Sequence, residues 1–214
     1  MIEDYFVRDP EIGELTIGEG AVVDPTAIVG YLSPRKGVSN KLLLGKNARI
    51  RSGTVIYAGS EIGDFLETGH NVVIREENFI GEHFSIWNNS VIDYGCRIGC
   101  NVKIHCNVYV AQFTVIEDDV FIAPGVKIAN DYHPGCPESK ECMRGPTLKK
   151  GCKIGVNTTI LPYVTIGEGT LIGSGSVVTK DIPPGVVAFG NPARVHAELK
   201  DLRCKTGRRD APYL

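Results

Sequence analysis

The 214-residue sequence has no run of eighteen apolar residues and no strong charge of one sign. Without such a run no membrane-spanning helix is expected, and the first ten residues, MIEDYFVRDP, lack the apolar core of a secretory signal. The net charge of −2 and the isoelectric point near 6.2 give no general reason to expect a nucleic acid or an anionic membrane as partner. We therefore expect a cytoplasmic protein with one large domain.

Cysteine pairs with the spacing of a zinc ribbon or a thioredoxin-like site are also missing. The seven cysteines include no C-x-x-C pair, so we expect reduced thiols in a reducing compartment. Cys136 and Cys142 lie on one stretch with His133. A zinc site or a disulfide there is the weaker alternative to free thiols, because C-x5-C lacks the tight spacing of a zinc knuckle.

A six-residue repeat runs through most of the chain. Two frames, the first from Leu44 to Ile128 and the second from Leu148 to Ile172, contain twenty hexads. The first residue is a branched aliphatic in every hexad except the one that begins with Thr68. An α-helix would need a period of about 3.6 residues, so the repeat predicts short strands wound around an aliphatic interior.

The fourth residue of each hexad predicts a corner. It is Gly or Asn in thirteen of the twenty hexads and Asp in two more, and these residues tolerate a positive φ. Three hexads to a turn would stack residues eighteen apart at the spacing of neighbouring parallel strands, about 4.8 Å. With one insertion looped out, a corner ladder would contain Asn71, Asn89, Asn107, Gly125, Asn157 and Gly175.

The repeat stops in the stretch KIANDYHPGCPESKECMRGPTLKKG, residues 127–151, and resumes two residues out of step at Leu148. A solenoid can accommodate an insertion at a corner because each coil contacts only its neighbours. We therefore expect an insertion loop over residues 134–147. Such a loop would bring Asn130, Asp131 and His133 to the rim of a site and cover it.

The two ends of the chain depart from the repeat. Hexads begin at Ile17, Val23 and Val29, and YLSPRKGVSNK then interrupts them; we prefer a first coil with a protruding loop to an N-terminal cap. Near the other end the spacing of Val195, Leu199 and Leu202 predicts a short amphipathic helix that covers the last coil. The expected division is a β-helical domain over 1–195 and a C-terminal helix and tail over 196–214.

The stretches IGCNVKIHCNVYV, IEDDVFIAPGVKIANDYHP and IGVNTTILPYVTIGEGTLIGSGSVVTKDIPPGVVAFGNPARV resemble the hexapeptide-repeat acyltransferases over roughly residues 15–196. The resemblance implies an all-β fold, the left-handed parallel β-helix, and a homotrimer with sites between adjacent subunits. It also implies acetyl-CoA as co-substrate. Within the superfamily the motifs look closest to the nucleotide-sugar N-acetyltransferases, which acylate an amino group of a dideoxy-amino sugar.

We expect no metal ion in this chain. The γ-type carbonic anhydrases share the implied fold and bind zinc through three histidines, two of which lie close together in sequence. Consecutive histidines here are 13, 22, 28 and 63 residues apart, so no such pair exists.

His133 is the candidate catalytic residue. Acyl transfer to an amine needs a neutral amine, and a base with a pKa of about 7 can accept its proton. The pair His133-Pro134 resembles the base of the galactoside and maltose acetyltransferases in this superfamily. The amino-sugar branch often has Asn-Pro here, so the alternative is that His133 only holds the sugar and the amine attacks without a protein base.

Five other residues are candidate acceptor contacts by resemblance. His105 and Asn107 lie in KIHCNVYV, which is similar to a substrate-facing stretch of the amino-sugar branch, although Asn107 also sits on the corner ladder where Asn only tolerates φ. Asn130 and Asp131 match a motif before the loop, and Asp131 could instead orient the nearby histidine. Glu117 has a similar counterpart; a lone acid on a polar face is more often simply solvated.

The later coils are where the resemblance places the acyl donor. It assigns the pantetheine arm to backbone groups along IGSGSVV, including Ser174 and Gly175, and the phosphates to Lys180 and Arg194. Fixed cations and exposed N–H groups suit a nucleotide phosphate. The alternative is that Lys180 and Arg194 are ordinary surface charges.

The sequence thus predicts an acyl-CoA-dependent N-acyltransferase, which acetylates an amino group of a nucleotide-linked amino sugar with His133 as general base. One alternative is O-acetylation of a sugar hydroxyl. The other is a β-helical scaffold without enzymatic activity, which would bind no CoA and would not need the interruption at His133.

Overall fold

The computed structural model describes residues 11–213. The N-terminal stretch in which no secretory signal is expected, residues 1–10, lies outside this part. The described chain forms a left-handed parallel β-helix with three faces, which we call sheets I, II and III. The fold class expected from the hexads is therefore confirmed.

The strands are short and follow one another around the three sheets. Sheet I contains β1 (Glu14–Ile17), β4 (Lys41–Leu44), β7 (Glu61–Ile62), β10 (Phe79–Ile80), β13 (Arg97–Ile98), β16 (Val115–Ile116), β19 (Thr147–Leu148) and β22 (Thr165–Ile166). Sheet II contains β2 (Val22–Val23), β5 (Arg49–Ile50), β8 (Glu67–Thr68), β11 (Ser85–Ile86), β14 (Lys103–Ile104), β17 (Phe121–Ile122), β20 (Lys153–Ile154), β23 (Leu171–Ile172), β25 (Val186–Gly190) and β26 (Ala193–Glu198). Sheet III contains β3 (Ile28–Tyr31), β6 (Val55–Tyr57), β9 (Val73–Ile74), β12 (Val91–Ile92), β15 (Tyr109–Val110), β18 (Lys127–Ile128), β21 (Thr159–Ile160) and β24 (Val177–Val178).

Within residues 11–213, helical structure is limited to α1 (Ser139–Cys142) and a 3-10 turn over Leu199–Asp201. In the part of the chain that is described, neither segment is long and apolar enough to cross a membrane.

The aliphatic first residue of each hexad fills the interior of the β-helix. All twenty of these side chains, including Thr68, are at most 5% exposed. Ile62, Ile80, Ile98 and Ile116 pair directly from coil to coil at intervals of eighteen residues. Each buried aliphatic side chain stabilises the fold by about 1.5–3 kcal/mol, so the ladder is the main source of stability.

A second interior column, at the fifth position of the hexads, was not anticipated from the sequence. It mixes aliphatic residues with small polar ones, and the polar ones bond to main-chain groups. The Ser90 hydroxyl, for example, donates to the His105 carbonyl at 2.8 Å, and the Thr114 hydroxyl donates to the Ala111 carbonyl at 2.7 Å. Among the described residues no buried side-chain nitrogen or oxygen lacks a partner. The interior therefore holds these polar side chains without leaving unpaired polar groups.

The fourth position of the hexads forms the corners, as the sequence predicts. The backbone has a positive φ at nineteen of these twenty positions, and even Phe65 and Tyr163 adopt it, with φ values of 61° and 63°. Asp131 is the exception, because the chain leaves the helical path there. We call the corners first, second and third, according to whether they follow sheet I, II or III.

Both insertions leave the third corner. Ile17 pairs with Leu44, 27 rather than 18 positions away, so nine extra residues form the first loop, within 32–40. Ile116 pairs with Leu148, 32 positions away, so fourteen extra residues form the second loop, within 129–146. The preferred interpretation of the N-terminal break, a first coil with a protruding loop, is confirmed. Thr147, which the sequence assigned to the second loop, already lies in β19.

The C-terminal end differs from the amphipathic helix expected from Val195, Leu199 and Leu202. Residues 186–198 form a hairpin instead: β25 pairs with the free edge of β23, and β26 pairs antiparallel with β25. Val195 lies in β26 with 46% of its surface exposed, and only the 3-10 turn with the buried Leu199 is helical. The helical spacing was misleading because the exposed edge of the last coil offers hydrogen bonds that a strand can use. The expected boundary at 195/196 falls inside β26.

Candidate active site

A continuous chain of polar side chains runs along the third corner and joins the two loops. We call it the corner network; its members are Arg75, Glu76, Asp93, Gln112 and Asn130. In the first loop, Ser33 donates to Glu76 Oε1 at 3.0 Å and Arg35 donates to the same oxygen at 3.1 Å. The Arg35 guanidinium also lies 3.8 Å above the ring centre of Tyr94. The first loop is thus clamped onto coils that lie beyond its own.

The network continues from Glu76 toward the second loop. Arg75 donates to Glu76 Oε1 at 2.9 Å and to Asp93 Oδ1 at 3.0 Å. Gln112 Nε2 then donates to Asp93 Oδ2 at 2.6 Å, and Asn130 Nδ2 donates to Gln112 Oε1 at 2.7 Å. The Asn130 carbonyl in turn accepts from the Arg144 main-chain N–H at 2.8 Å, which closes the base of the second loop.

Burial and hydrogen bonding oppose each other at Glu76, whose side chain is completely buried. Burial alone would raise its pKa, but hydrogen bonds from its own backbone and from Arg35, Ser33 and Arg75 outweigh burial and hold the pKa below the ordinary 4.5. The carboxylate is therefore charged at neutral pH. Its negative charge compensates the positive charges of the Arg35 and Arg75 guanidinium groups, which donate to it.

His133 lies on the second loop with its side chain exposed. Its main-chain N–H donates to Asp131 Oδ1 at 2.8 Å, so Asp131 fixes the backbone in front of the histidine. Within residues 11–213 no hydrogen bond or ion pair joins the Asp131 carboxylate to the imidazole. The structure therefore shows Asp131 in contact with the main chain of His133, and not with its ring as expected.

A small pocket of about 290 Å³ opens beside His133, lined by Tyr132, His133, Cys142 and Tyr163. Tyr163 comes from the corner after β21, and its hydroxyl donates to the Cys142 carbonyl. Cys136 and Cys142 are both free thiols. The loop thus places a histidine against an aromatic wall.

Asn130 takes a different role from the one that the resemblance implied. Only 9% of its surface is exposed, and its amide is engaged with Gln112. A side chain in this position anchors the loop and does not present its amide to a substrate.

His105 and Asn107 lie at the second corner, away from the loop that carries His133. His105 packs against Phe121 with ring centres 5.0 Å apart, and burial, followed by the charge of Lys103, lowers the pKa of His105. Its ring is therefore neutral at neutral pH. Asn107 is an exposed corner residue with a φ of 59°, and its carbonyl accepts from Lys127 Nζ at 2.5 Å.

The second corner continues upward into a groove of about 470 Å³ on sheet II. It is lined by residues of the late coils together with Tyr213 from the tail: Phe121, Ala123, Lys153, Ile154, Gly155, Val156, Leu171 and Ser174. Ser174 Oγ accepts from the Val156 N–H at 3.2 Å, and Gly175 turns the next corner with a φ of 71°. The groove is mostly apolar with one cation, Lys153, at its side, so it can accommodate a pantetheine-like chain.

The three remaining candidates are separated from one another. Glu117 lies at the first corner, where Lys149 Nζ donates to it at 2.7 Å; that hydrogen bond is the main reason why the pKa of Glu117 lies below its ordinary value. Lys180 follows β24 at the third corner and is exposed. Arg194 lies on β26 and donates to the Ala193 carbonyl at 2.9 Å.

The candidates therefore occupy all three corners of the β-helix. Asn130, Asp131, His133 and Lys180 belong to the third corner, whereas His105, Asn107, Ser174 and Gly175 belong to the second. Side chains on separate corners of one solenoid point away from each other, so a single chain does not unite these two groups.

Several residues of the site were missed in the sequence. Arg75 and Asp93 are eighteen residues apart at the second position of their hexads, and two opposite charges at that spacing were a readable sign of the corner network. Tyr163 also stood out, since it occupies a corner position that is usually Gly or Asn. Tyr213, in contrast, carried no pattern, because the tail follows no repeat.

A left-handed β-helix with a histidine on an insertion at one corner and an apolar groove at another has the architecture of a hexapeptide-repeat transferase. A family model described as "Bacterial transferase hexapeptide (six repeats)" matches residues 95–130 and 145–180. The galactoside O-acetyltransferase of Escherichia coli K12 is 35% identical over 168 residues, which cover 72% of this chain and 80% of that protein. The chain belongs to the hexapeptide-repeat acetyltransferases.

Two other similarities are partial or distant. The bifunctional protein GlmU of Rubrobacter xylanophilus is 28% identical over 209 residues, 92% of this chain but only 38% of that protein. UDP-N-acetylglucosamine acyltransferase from Campylobacter jejuni superposes with a TM-score of 0.62 at 19% identity, covering 83% of this chain and 75% of that one, and shows the fold alone. The superfamily is confirmed, and the nucleotide-sugar branch has weaker support than its motifs suggested.

Proposed function

We propose that the protein transfers the acetyl group of acetyl-CoA to a hydroxyl of a small sugar-type acceptor, with His133 as general base. The observation that carries this proposal is the exposed side chain of His133, which lies on the second loop in a pocket of sugar size. The E. coli galactoside O-acetyltransferase, at 35% identity, supports a hydroxyl acceptor.

In the proposed mechanism the His133 imidazole accepts the proton of the acceptor hydroxyl while its oxygen attacks the thioester carbonyl. A new C–O bond forms, and the carbonyl electrons move onto an oxyanion that exposed main-chain N–H groups can stabilise. Collapse of the intermediate breaks the C–S bond, and the departing thiolate takes the proton from the imidazolium. Asp131 contributes by fixing the main chain of His133.

The acyl donor is proposed to lie along the second corner and the groove on sheet II. The apolar side chains of Phe121 and Leu171 suit the pantetheine arm, and main-chain groups near Ser174 and Gly175 can bond its amides. Lys180 and Arg194 remain the proposed phosphate contacts, because fixed cations attract phosphate. To these the structure adds Lys153 as a candidate cation.

The proposed assembly is a homotrimer with the active site between adjacent copies. Support comes from the separation of His133 and the donor groove on different corners of one chain. Contact between the third corner of one copy and the second corner of the next would bring them together. The cytoplasm is the proposed location, where thiols such as the buried Cys96 and Cys152 stay reduced.

N-acetylation of a nucleotide-linked amino sugar is the second candidate function, favoured by the Asn130-Asp131 motif. We place it second because Asn130 is turned inward onto Gln112, which removes one of the sugar contacts that the motif implied. His105, Asn107 and Glu117 remain candidate acceptor contacts for either reaction.

An acceptor screen with acetyl-CoA tests the proposed function. We expect CoA thiol to be released faster with methyl galactoside and related hydroxyl acceptors than with nucleotide-linked amino sugars, and the product to carry an acetyl ester. An N-acetyl product would favour the second candidate. If no acceptor leads to release of CoA, and CoA does not raise the thermal stability of the protein, both candidate functions are contradicted. A β-helical scaffold without enzymatic activity is then the remaining hypothesis.

Mixing two inactive variants tests the shared site. His133→Ala and a second-corner variant such as Gly175→Trp, which fills the donor groove, are unfolded together, mixed and reassembled. A site shared between copies restores part of the activity, because some interfaces combine two unaltered halves. Activity that stays absent in the mixture, while each variant alone forms trimers, would contradict a shared site.

A further inference from the structure

Tyr132 and Tyr163 form an exposed aromatic surface next to His133. Their rings stack with centres 5.5 Å apart and planes inclined by 17°, and the two side chains are 46% and 43% exposed. Large aromatic side chains usually gain their stability from burial. Two that stay half-exposed side by side, in the pocket that His133 also lines, are available for a ligand.

Tyr163 is held in place at an energetic cost. Its φ of 63° lies in the left-handed region, which costs a non-glycine residue on the order of 1–3 kcal/mol. The second loop fixes it from above: the Tyr163 hydroxyl donates to the Cys142 carbonyl, and the Arg144 guanidinium lies 5.7 Å from its ring centre. The ring is therefore oriented before any ligand arrives, which reduces the entropy lost on binding.

Another aromatic pair at the third corner does not offer such a surface. Tyr94 and Phe113 meet edge to face, with ring centres 5.5 Å apart and planes inclined by 86°. The Arg35 guanidinium covers the face of Tyr94 at 3.8 Å. This pair lies on the same corner but outside the pocket of His133, and it provides a matched control.

We propose that the Tyr132–Tyr163 pair is the platform on which the ring of a pyranose acceptor stacks, so that one of its hydroxyls points at His133. This inference rests on the proposed function and names its substrate class. The apolar C–H face of a pyranose suits an aromatic ring, while its hydroxyls stay on the side of the imidazole. The pocket of about 290 Å³ is slightly smaller than drug-sized ligand sites, which span about 300–1,000 Å³, and so suits a ligand as small as one sugar ring.

The test compares Tyr132→Leu, Tyr132→Phe and the control Phe113→Leu with methyl galactoside and with an acyclic polyol. An aromatic contact is worth about 0.5–1.5 kcal/mol, so Tyr132→Leu should raise the KM for methyl galactoside about 2- to 12-fold. The KM values for the polyol and for acetyl-CoA should change by less than about twofold. Tyr132→Phe, which keeps the ring, should restore the galactoside KM, and Phe113→Leu should resemble the unaltered protein.

Ligand-observed NMR of methyl galactoside, in the absence of acetyl-CoA, separates the platform from the reaction. We expect binding to the unaltered protein that Tyr132→Leu weakens by the same factor. Galactoside binding without any acetyl transfer would refute the proposed function and leave the platform standing. Equal binding by the unaltered protein and Tyr132→Leu, or no binding by either, would overturn the platform even if acetyl transfer is observed.

Discussion

Replacement of Asp93 by Asn is the sharpest test of the corner network. The carboxylate accepts from Arg75 at 3.0 Å, Tyr109 at 2.7 Å, Gln112 at 2.6 Å and the Tyr94 N–H at 2.8 Å. Asn has the same shape but only one acceptor oxygen, and its amide would face two of these donors. The change therefore removes a charge and creates donor-to-donor contacts without changing the volume.

The magnitude follows from the two bonds that are lost. The Asp93 side chain is 8% exposed, so solvent does little to replace them. Hydrogen bonds to a charged group contribute about 1.5–3 kcal/mol each, and removing one partner of a buried ion pair costs about 3–5 kcal/mol. We expect Asp93→Asn to lower the free energy of unfolding by about 3–5 kcal/mol. Burial and the bond to Asp93 also raise the pKa of Tyr109, so this hydroxyl stays protonated and keeps donating.

Chemical denaturation at neutral pH, followed by circular dichroism at fixed protein concentration, measures this loss. The control is Asp64→Asn, because Asp64 Oδ1 accepts a single bond, from the Lys46 N–H at 2.7 Å, which an Asn oxygen can keep. The control should change the free energy of unfolding by less than about 1 kcal/mol. Equal stabilities for the two variants would refute the view that the network holds the corner together.

Three further predictions concern stability. Since the pKa of Glu76 is below its ordinary 4.5 in the folded protein, its contribution is present above pH 4.5 and is lost as the pH falls toward the folded value. Glu76→Gln should therefore be less stable at neutral pH and less sensitive to acid, and an unchanged acid limb in pH-dependent denaturation would contradict this. Ile92→Ala, at a fully buried position, should lose about 2–5 kcal/mol in the same assay, whereas the partly exposed neighbour Val91→Ala should lose clearly less; equal losses would argue against the interior ladder. Gly99→Ala would place a methyl group 2.7 Å from the Asp118 nitrogen of the next coil, so we expect a loss of about 1–3 kcal/mol; an unchanged thermal midpoint would show that the coils can separate there.

Most of the fold could be predicted from the sequence because the hexads repeat the same two features, an aliphatic residue for the interior and a residue that tolerates the corner. Ile62, Ile80 and Ile98 need an apolar interior, and Asn71, Asn89 and Asn107 tolerate the positive φ of a corner. The corner ladder continues through Gly125 to Asn157 across the second loop, where the Asn157 N–H donates to the Pro124 carbonyl at 3.0 Å. The register across the insertion was therefore predicted correctly. The six-residue repeat determines which residues of successive coils pair, because each coil has the same geometry as the one before it.

What failed lies where the repeat ends. The spacing of Val195, Leu199 and Leu202 fits a helix, but the free edge of β23 determined the structure, and that edge is visible only once the coils are assembled. The role of Asn130 was missed for a similar reason. Its partner Gln112 lies one coil below, and nothing local to Asn130 indicates that its amide is already engaged.

Individual residues of the candidate site could be selected from the sequence, but their positions relative to one another could not. His133 could be selected because a His-Pro pair interrupts a regular repeat. The separation of His133 and Ser174 on two corners depends on which sheet each neighbouring strand joins. Tyr163 needed the loop to be folded, since its partner Cys142 comes from the insertion.

The most direct test of the central claim is the rate of acetyl transfer from acetyl-CoA to methyl galactoside by His133→Ala, at saturating concentrations of both. Loss of the general base should lower kcat by about 10²- to 10⁴-fold, with the folded structure and CoA binding unchanged. A kcat equal to that of the unaltered protein would contradict the role of His133 and with it the proposed mechanism.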